Sequence, residues 1–310
     1  MPRRTRHFNL INDEIVLTTD MQRADHPKPN FFILGAGKSG STSLYHYLKG
    51  HPQVFLPRVK EPSFFCEDFQ VVKNPIHYFR LFEPVSSETA IGEASHVYLS
   101  SPSTPSVLKT LFPDARFIII LRNPANRAYS LYHHMRRTGF EPVASFEKAL
   151  MAEEARATSA RFKAHCPQYL YNFLYFRSGL YGSQIERYFS LFPKEQFLLL
   201  KLERFVYEPE EYFKQILRFL AVDEDFQPRF DRYNDGGLTA RFPKLEYFVN
   251  TKIKRPLSWK KYLLGLLSKH NRMNTPGMDE DTRARLFAAY ASDLQLLKEM
   301  TGIGFDLEEL

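Results

Sequence analysis

A glycine-rich segment with one lysine inside it is where residue types and spacing first indicate chemistry. Residues 31–48 read FFILGAGKSGSTSLYHYL, which is an apolar run, a loop with three glycines and a helical pattern. The nucleotide-binding P-loop has the pattern G-x-x-x-x-G-K-[ST]. Gly35 and Gly40 occupy its glycine positions, but Ser41 stands where the lysine belongs, and Lys38 lies three residues earlier. The segment therefore predicts a phosphate loop with a displaced lysine.

This loop is expected to bind an anion. Glycines allow backbone conformations that turn successive N–H groups toward an anion beside a helix N-terminus. The hydroxyls of Ser41, Thr42 and Ser43 add donors at the first helical turn. A Gly/Ser-rich turn that only caps a helix would explain the glycines but not the lysine among them. Lys38 is expected to neutralise charge on a departing phosphate, which stabilises a transition state electrostatically.

A second cationic motif, LRNPANRAYS, follows the most apolar run of the chain. The run ends in Arg122, where an ATPase would carry the aspartate that holds magnesium. Arginine presents a fork of donors that matches phosphate, and Ser130, two turns into the next helix, can add another. The alternative is a helix with a surface arginine and a capping turn. Together the two motifs indicate a nucleotide with phosphates at both ends of its ribose, such as adenosine 3′-phosphate 5′-phosphosulfate (PAPS).

The elements that must position these motifs alternate between apolar runs and helical patterns. This order predicts an α/β fold, a P-loop-like parallel sheet flanked by helices. Strands are predicted at residues 31–34, 89–95, 115–121 and 195–201, and helices at 41–49, 125–137, 180–192, 208–220 and 282–301. A solvated arm, 1–28, is expected before a single domain, 29–310. Two further segments, 140–178 and 243–275, are expected to cap an acceptor cleft.

Composition restricts the function classes. Lysine and arginine number 42 against 35 acidic residues, a net charge of +7, which suits an anionic partner. The two cysteines form no CxxC pair and no HExxH motif occurs, so neither a metal site nor a disulfide framework is expected. The first residues include no apolar run long enough for a signal peptide or a membrane span, so a cytoplasmic protein is expected.

The paired motifs resemble those of the PAPS-dependent sulfotransferases, in particular the heparan sulfate enzymes and bacterial enzymes acting on small molecules or glycans. GAGKSGSTSL is similar to the family's 5′-phosphosulfate loop, and LRNPANRAYS to its 3′-phosphate motif. KEPSFF is similar to the segment that carries the family's catalytic glutamate, and NDGGLTARFPKL to a late segment near the nucleotide. The resemblance implies the following site residues: Lys38, Ser39, Gly40, Ser41, Thr42 and Ser43 at the 5′-phosphate, Arg122 and Ser130 at the 3′-phosphate, Glu61 as base, and Arg241 near the nucleotide.

One departure from the family pattern bears on the acceptor. The heparan sulfate enzymes carry a lysine in the segment that here reads GEASHVYL, and Ala94 takes its place. His96 follows two residues later and is expected to be an acceptor-site residue, an auxiliary base or merely a hydrogen-bonded side chain. The substitution weakens any expectation of a heparan substrate.

The resemblance implies in-line transfer of a sulfuryl group from PAPS to a hydroxyl or amine of a small-molecule or carbohydrate acceptor, with no metal. Glu61 would accept the proton of the acceptor, or it would be a salt-bridge partner of Lys60. A P-loop kinase is the first alternative, disfavoured by the missing G-K-[ST] and by Arg122. The second is a non-enzymatic basic module that binds nucleic acid or membrane through residues 252–272. We expect no nucleic-acid partner and at most a peripheral membrane contact.

Overall fold

A computed structural model of the chain describes residues 8–11, 14–17, 27–231, 233, 238–251, 259, 263, 265–266 and 271–309. Contacts divide the chain into two compact units. The first consists of Met1–Leu121 and Gln184–Tyr233, and the second of Arg122–Ser183 and Asn234–Leu310.

A five-stranded parallel sheet forms the centre of the first unit, in the order β4-β5-β3-β6-β7. Its strands are β3 (Phe31–Gly35), β4 (Val54–Phe55), β5 (Ala90–Ala94), β6 (Arg116–Leu121) and β7 (Phe197–Lys201), and an antiparallel hairpin of β1 (Phe8–Ile11) and β2 (Glu14–Leu17) precedes them. Residues 31–34 and 117–121 are fully buried. Such continuous apolar runs are typical of parallel strands covered on both faces. The register pairs Ile33 with Ala94, so the segments that follow β3 and β5 leave the sheet at the same edge.

Helices cover this sheet. Those of the first unit are α1 (Ser41–Lys49), α2 (Pro75–Arg80), α3 (Val97–Ser100), α4 (Thr104–Leu111), α10 (Leu202–Tyr207) and α11 (Pro209–Leu220). A buried cluster joins Leu44 and Leu48 of α1 and Leu217 of α11 to Ile33 and Ile118 of the sheet. Burying a leucine or isoleucine side chain contributes about 1.5–3 kcal/mol, so this packing fixes α1 against the strand that precedes it.

The second unit is built around the helix that follows β6. Its helices are α5 (Pro124–Arg137), α6 (Phe146–Met151), α7 (Glu153–Thr158), α8 (Ala160–His165), α12 (Pro243–Thr251), α13 (Glu280–Ala289) and α14 (Ala291–Thr301), with α9 (Tyr181–Phe189) crossing from this unit into the first. A short antiparallel pair, β8 (Leu238–Ala240) and β9 (Arg272–Asn274), contacts α5. Arg127 of α5 is buried and donates to the carbonyl of Tyr175 (2.6 Å), which ties the helix to the 140–178 segment.

The predicted parallel sheet flanked by helices is confirmed. The single helix predicted over 282–301 is wrong, because α13 ends at Ala289 and α14 begins at Ala291. Tyr290, between them, stacks on Phe176 and donates to its carbonyl (2.9 Å), a tertiary contact that competes with helix continuation. The predicted solvated arm contains the β1–β2 hairpin. Much of the segment 252–270 lies outside the described residues, and the domain limits and the capping role of both segments stay predictions.

Candidate active site

The predicted phosphate loop joins β3 to α1. The N–H of Ser39 donates to the carbonyl of Ala36 (3.2 Å), and the first hydrogen bond of α1 runs from Leu44 N–H to Gly40 O (3.2 Å). Lys38 holds φ at +71°. The left-handed conformation costs a non-glycine residue roughly 1–2 kcal/mol, so it persists only where the surrounding structure imposes it. The fold therefore fixes the backbone of Lys38 inside the loop.

Gly40 closes the loop in a conformation that favours glycine. Its φ is +89°, and a Cβ atom there would lie 2.8 Å from Cδ1 of Leu202. Gly40 is also the N-cap of α1, and among the described residues no side chain caps this helix. The first-turn N–H groups of α1 are therefore left for a ligand or for solvent, as an anion site requires.

The hydroxyl groups of the loop cluster at the start of α1. Ser39 is fully buried, yet its Oγ has no hydrogen-bond partner within the described part of the chain. An unpaired buried hydroxyl is costly, and an anion in the loop would relieve that cost. Ser41 is buried, whereas Thr42 and Ser43 are half-buried at the first turn of α1. The predicted donor set therefore surrounds one helix terminus.

Glu61 and His96 form a pair at the edge where β5 ends. One carboxylate oxygen, Glu61 Oε2, accepts from the backbone N–H of His96 (2.7 Å) and lies 2.8 Å from its Nδ1. The other oxygen, Oε1, accepts from the ammonium of Lys60. The carboxyl of Glu61 is one-quarter exposed. The two predicted catalytic residues are thus in direct contact, and Glu61 also has the salt bridge to Lys60 that was the alternative.

The charges around Glu61 determine its ionisation. Burial raises the pKa of this carboxyl, but the charges of His96 and Lys60 and their hydrogen bonds outweigh burial and hold the pKa well below its ordinary value. Glu61 is therefore a carboxylate at every physiological pH. Burial of the carboxyl is thus opposed by two positive neighbours, and their combined effect prevails.

His96 also connects Glu61 to the phosphate loop. A Cβ atom at Gly37 would lie 2.9 Å from Cδ2 of His96, so the imidazole packs directly on the glycine backbone. A side chain at residue 37 would displace the ring. The first unit therefore brings together the loop of Lys38, the imidazole of His96 and the carboxylate of Glu61.

The residues predicted near the 3′-phosphate lie in the second unit. Arg122 directly follows β6 and is half-buried, and its carbonyl accepts from the hydroxyl of Tyr181 (3.0 Å). Asn123 caps α5 by accepting from the N–H groups of Ala125 (3.1 Å) and Asn126 (3.2 Å). Proline at the first helical position, Pro124, completes this start.

Ser130 and Arg241 lie on elements of the second unit that contact each other. Ser130 is half-buried on α5, and Arg241 follows β8 with an exposed side chain. Arg136 of α5 donates to the carbonyl of Ala240 (3.1 Å), and Nδ1 of His133 lies 3.0 Å from Oγ1 of Thr239. These bonds hold the segment of Arg241 against the helix of Ser130.

Three residues next to Glu61 were not identified from the sequence: Ser63, Ser95 and Glu93. Ser95 Oγ accepts from the buried N–H of Ser63 (3.0 Å) and donates to Glu93 (2.5 Å). The available signal was a glutamate inside an otherwise apolar strand, AIGEA.

Among the described residues, no group of three or more His, Cys, Asp or Glu side chains could hold a metal ion. In the same part of the chain, no helix has the length and apolar character that crossing a membrane requires.

Comparisons with known proteins bear on the family of this chain. The family model described as "Sulfotransferase domain" matches residues 28–233. The human bifunctional heparan sulfate N-deacetylase/N-sulfotransferase 2 is 29% identical over 206 residues, which cover 63% of this chain and 22% of that protein. The Dictyostelium discoideum membrane-associated sulfotransferase kil1 is 30% identical over 142 residues, 44% of this chain and 30% of that protein. The chain thus spans less than a third of the length of these relatives.

A solved structure is similar over nearly the whole chain. The crystal structure of a sulfotransferase from Alicyclobacillus acidocaldarius has a TM-score of 0.70 and 29% identity, and the match covers 90% of this chain and 98% of that one. The resemblance drawn from the phosphate loop and the LRNPANRAYS motif is confirmed, and the kinase and the basic module are not favoured. The chain belongs to the sulfotransferase family.

Proposed function

We propose that this protein transfers a sulfuryl group from PAPS to a hydroxyl or amine of a carbohydrate or small-molecule acceptor. One observation carries the proposal: the Glu61–His96 pair rests on Gly37 of a loop that holds Lys38 and an unpaired buried hydroxyl. A proton acceptor and an anion site therefore adjoin within one unit, which is what transfer from an anionic donor to a protic acceptor requires.

The loop residues would hold the donor's 5′-phosphosulfate, and PAPS supplies the activated sulfuryl group. The N–H groups at the start of α1 and the hydroxyls of Ser39, Ser41, Thr42 and Ser43 would donate to it. Lys38 would meet the negative charge that grows on the departing phosphate, which lowers the transition state more than the bound state. Arg122 and Ser130 as the 3′-phosphate residues, and Arg241 as a residue near the nucleotide, remain predictions from their motifs.

Glu61 is the proposed proton acceptor, and His96 assists it. The carboxylate is kept ionised by His96 and Lys60, so it is always in the base form. A low pKa weakens a base, but an anionic donor bound in the adjoining loop offsets part of the positive field and raises the pKa of Glu61. His96 holds the carboxylate through Nδ1 and its backbone N–H, and it packs on the loop. Donor binding and base strength are thereby coupled.

The relatives suggest a glycan amine as one acceptor, since the human relative's name includes heparan sulfate N-sulfotransferase. The replacement of the family lysine by Ala94 argues against adopting that substrate unchanged. The proposal therefore extends to hydroxyl acceptors.

An acceptor screen tests the proposal. Purified protein is incubated with sulfur-35 PAPS and, separately, an N-deacetylated amino-sugar glycan, a neutral glycan, a phenol and an alkyl alcohol. Products are identified by mass spectrometry. We expect an acceptor-dependent sulfated product that Glu61→Gln suppresses and that Glu67→Gln, an exposed carboxylate in the same segment, leaves unchanged. Radiolabel transfer that is equal in wild type and Glu61→Gln would contradict the proposed site.

A further inference from the structure

A buried carboxylate lies behind the proposed base. Glu93 is the fourth residue of β5 and is fully buried. Its Oε2 accepts from the hydroxyls of Tyr78 (2.6 Å) and Tyr98 (3.2 Å), and its Oε1 accepts from the hydroxyl of Ser95 (2.5 Å). Its three partners are thus neutral hydroxyls, the arrangement of a fully connected polar network inside a core.

The network reaches the backbone next to Glu61 through Ser95, while the hydroxyl of Tyr98 accepts from the N–H of Phe65, further along the segment (3.2 Å). Ser95 Oγ, which donates to Glu93, accepts from the N–H of Ser63 (3.0 Å). The N–H of Glu61 donates to the carbonyl of Ala94 (3.0 Å), so both ends of the segment Glu61–Ser63 are bound to the end of β5. Since Glu93 orients the Ser95 hydroxyl, it leaves the oxygen lone pairs of Ser95 directed at Ser63.

This segment is strained and needs such support. Glu61 has φ of +62° and Ser63 has φ of +52°, on either side of Pro62. The left-handed conformation is unfavourable for a non-glycine residue and persists only where neighbouring contacts impose it. The same left-handed turn carries the Glu61 carboxylate that contacts His96. Relaxation of either φ would move that carboxylate.

Glu93 is costly for the fold, which a purely structural role does not explain. Burial raises the pKa of Glu93 to about 7, against the lowering effect of its hydrogen bonds to Ser95, Tyr78 and Tyr98, and Glu61 raises it further. An apolar side chain would fill this position of β5 without that cost. The carboxylate contributes something an apolar side chain cannot, because it holds the strained segment in place through Ser95.

We propose that Glu93, acting through Ser95, is a positioning residue that fixes the Glu61 carboxylate for sulfuryl transfer. The inference rests on the proposed role of Glu61 as base. The proposal assigns different roles to two hydroxyls that donate to Glu93. The Ser95 hydroxyl also accepts from the N–H of Ser63, whereas the Tyr78 hydroxyl bonds only to Glu93 among the hydrogen bonds described above. This difference supplies a matched pair of variants.

The test compares Ser95→Ala with Tyr78→Phe, each of which deletes one hydroxyl that donates to the same carboxylate. Turnover is measured as release of adenosine 3′,5′-diphosphate from PAPS, with the acceptor found in the screen or with water. A catalytic group displaced by about 1 Å can lose on the order of 100-fold in rate. We therefore expect Ser95→Ala to lower kcat about 10- to 100-fold, with the KM for PAPS changed less than about twofold, and Tyr78→Phe to change kcat less than about threefold. Equal kcat losses in the two variants would overturn the proposal.

Two further readouts separate positioning from a general loss of stability. In a Glu61→Gln background, Ser95→Ala should cause no further loss of turnover, because residues that act through one group are not additive. A full additional loss there would contradict the proposal. If the Glu93→Gln variant folds, it should show the same loss of kcat as Ser95→Ala. If Glu93→Gln does not fold, the comparison of Ser95→Ala with Tyr78→Phe still tests the proposal, because each of these removes only one hydroxyl.

Hydrogen exchange tests the positioning without relying on activity. Peptides covering 61–66 should exchange about tenfold faster in Ser95→Ala than in wild type, as expected for the loss of one buried hydrogen bond, and at the wild-type rate in Tyr78→Phe. Unchanged exchange in Ser95→Ala would refute the positioning. A wild type that transfers no sulfuryl group but shows this exchange pattern would refute the proposed function and leave the positioning of Glu61 supported.

Discussion

Replacing Glu93 by glutamine should remove a specific pH dependence from the stability of the protein. Glu93 is fully buried, and its pKa in the folded protein is raised to about 7 from an ordinary value of 4.5. Between these two pH values the folded protein holds a proton that the unfolded chain has released. Stability therefore falls as pH rises through this window, and the loss is complete above about pH 7.

The magnitude follows from the displacement of the pKa. A change of 1 in a pKa corresponds to about 1.36 kcal/mol, so raising the pKa of Glu93 from 4.5 to about 7 corresponds to roughly 3 kcal/mol of folding free energy. Glutamine cannot ionise. The free energy of unfolding of Glu93→Gln minus that of wild type should therefore rise by roughly 3 kcal/mol between pH 4.5 and about pH 7. The hydrogen-bond mismatch that the amide introduces adds a constant, because it does not depend on pH.

Urea unfolding followed by far-UV circular dichroism, at several pH values from 4.5 to 8, measures this difference. Glu67→Gln, which alters an exposed carboxylate, is the control and should give a difference that is flat with pH. A flat difference for Glu93→Gln, within about 0.5 kcal/mol, would refute the reasoning that burial governs this carboxyl. A difference that falls with rising pH would show that the folded protein prefers the ionised form.

Four further variants test the site. Lys38→Ala should lower kcat by about 100-fold while weakening PAPS binding less than tenfold, because the charge it meets is largest in the transition state; near-normal turnover would remove Lys38 from catalysis. Glu61→Gln should lower kcat about 10²–10⁴-fold, and His96→Asn should lower it less while moving the acidic limb of the pH–rate profile to higher pH, since removal of a positive neighbour raises the pKa of Glu61; the reverse ranking would assign the base to His96. Gly37→Ala should lower kcat at least about tenfold by displacing the imidazole, whereas Gly277→Ala, which adds a methyl group in open space, should have no effect, and equal behaviour would contradict the packing.

The local part of the site could be predicted from the sequence. The glycine spacing and the helical pattern after it predict β3, the loop and α1, and α1 has the predicted limits Ser41–Lys49. These features depend on residues within about ten positions of one another, so a linear pattern includes all the information they need. The family resemblance also selected Glu61, and the segment that departs from the family pattern drew attention to His96; the structure places the two residues in contact.

Features that depend on distant contacts could not be predicted. The left-handed conformation of Glu61 and Ser63 depends on hydrogen bonds to residues more than thirty positions away, Ala94 and Ser95. The break at Tyr290 depends on Phe176, while the helical periodicity of the sequence runs on without interruption. The direction in which the pKa of Glu61 shifts could not be predicted without knowing that His96 lies beside the carboxylate. The cytoplasmic location stays a prediction.

Binding of adenosine 3′,5′-diphosphate tests the central claim most directly, because it requires no knowledge of the acceptor. Isothermal titration calorimetry should show an affinity at least tenfold higher for the diphosphate than for adenosine 5′-phosphate. Charge-assisted hydrogen bonds to the additional phosphate contribute about 1.5–3 kcal/mol each, which corresponds to tenfold or more. Equal affinity for the two nucleotides, or binding of ATP that requires magnesium, would contradict the assignment of this site to a PAPS-dependent sulfotransferase.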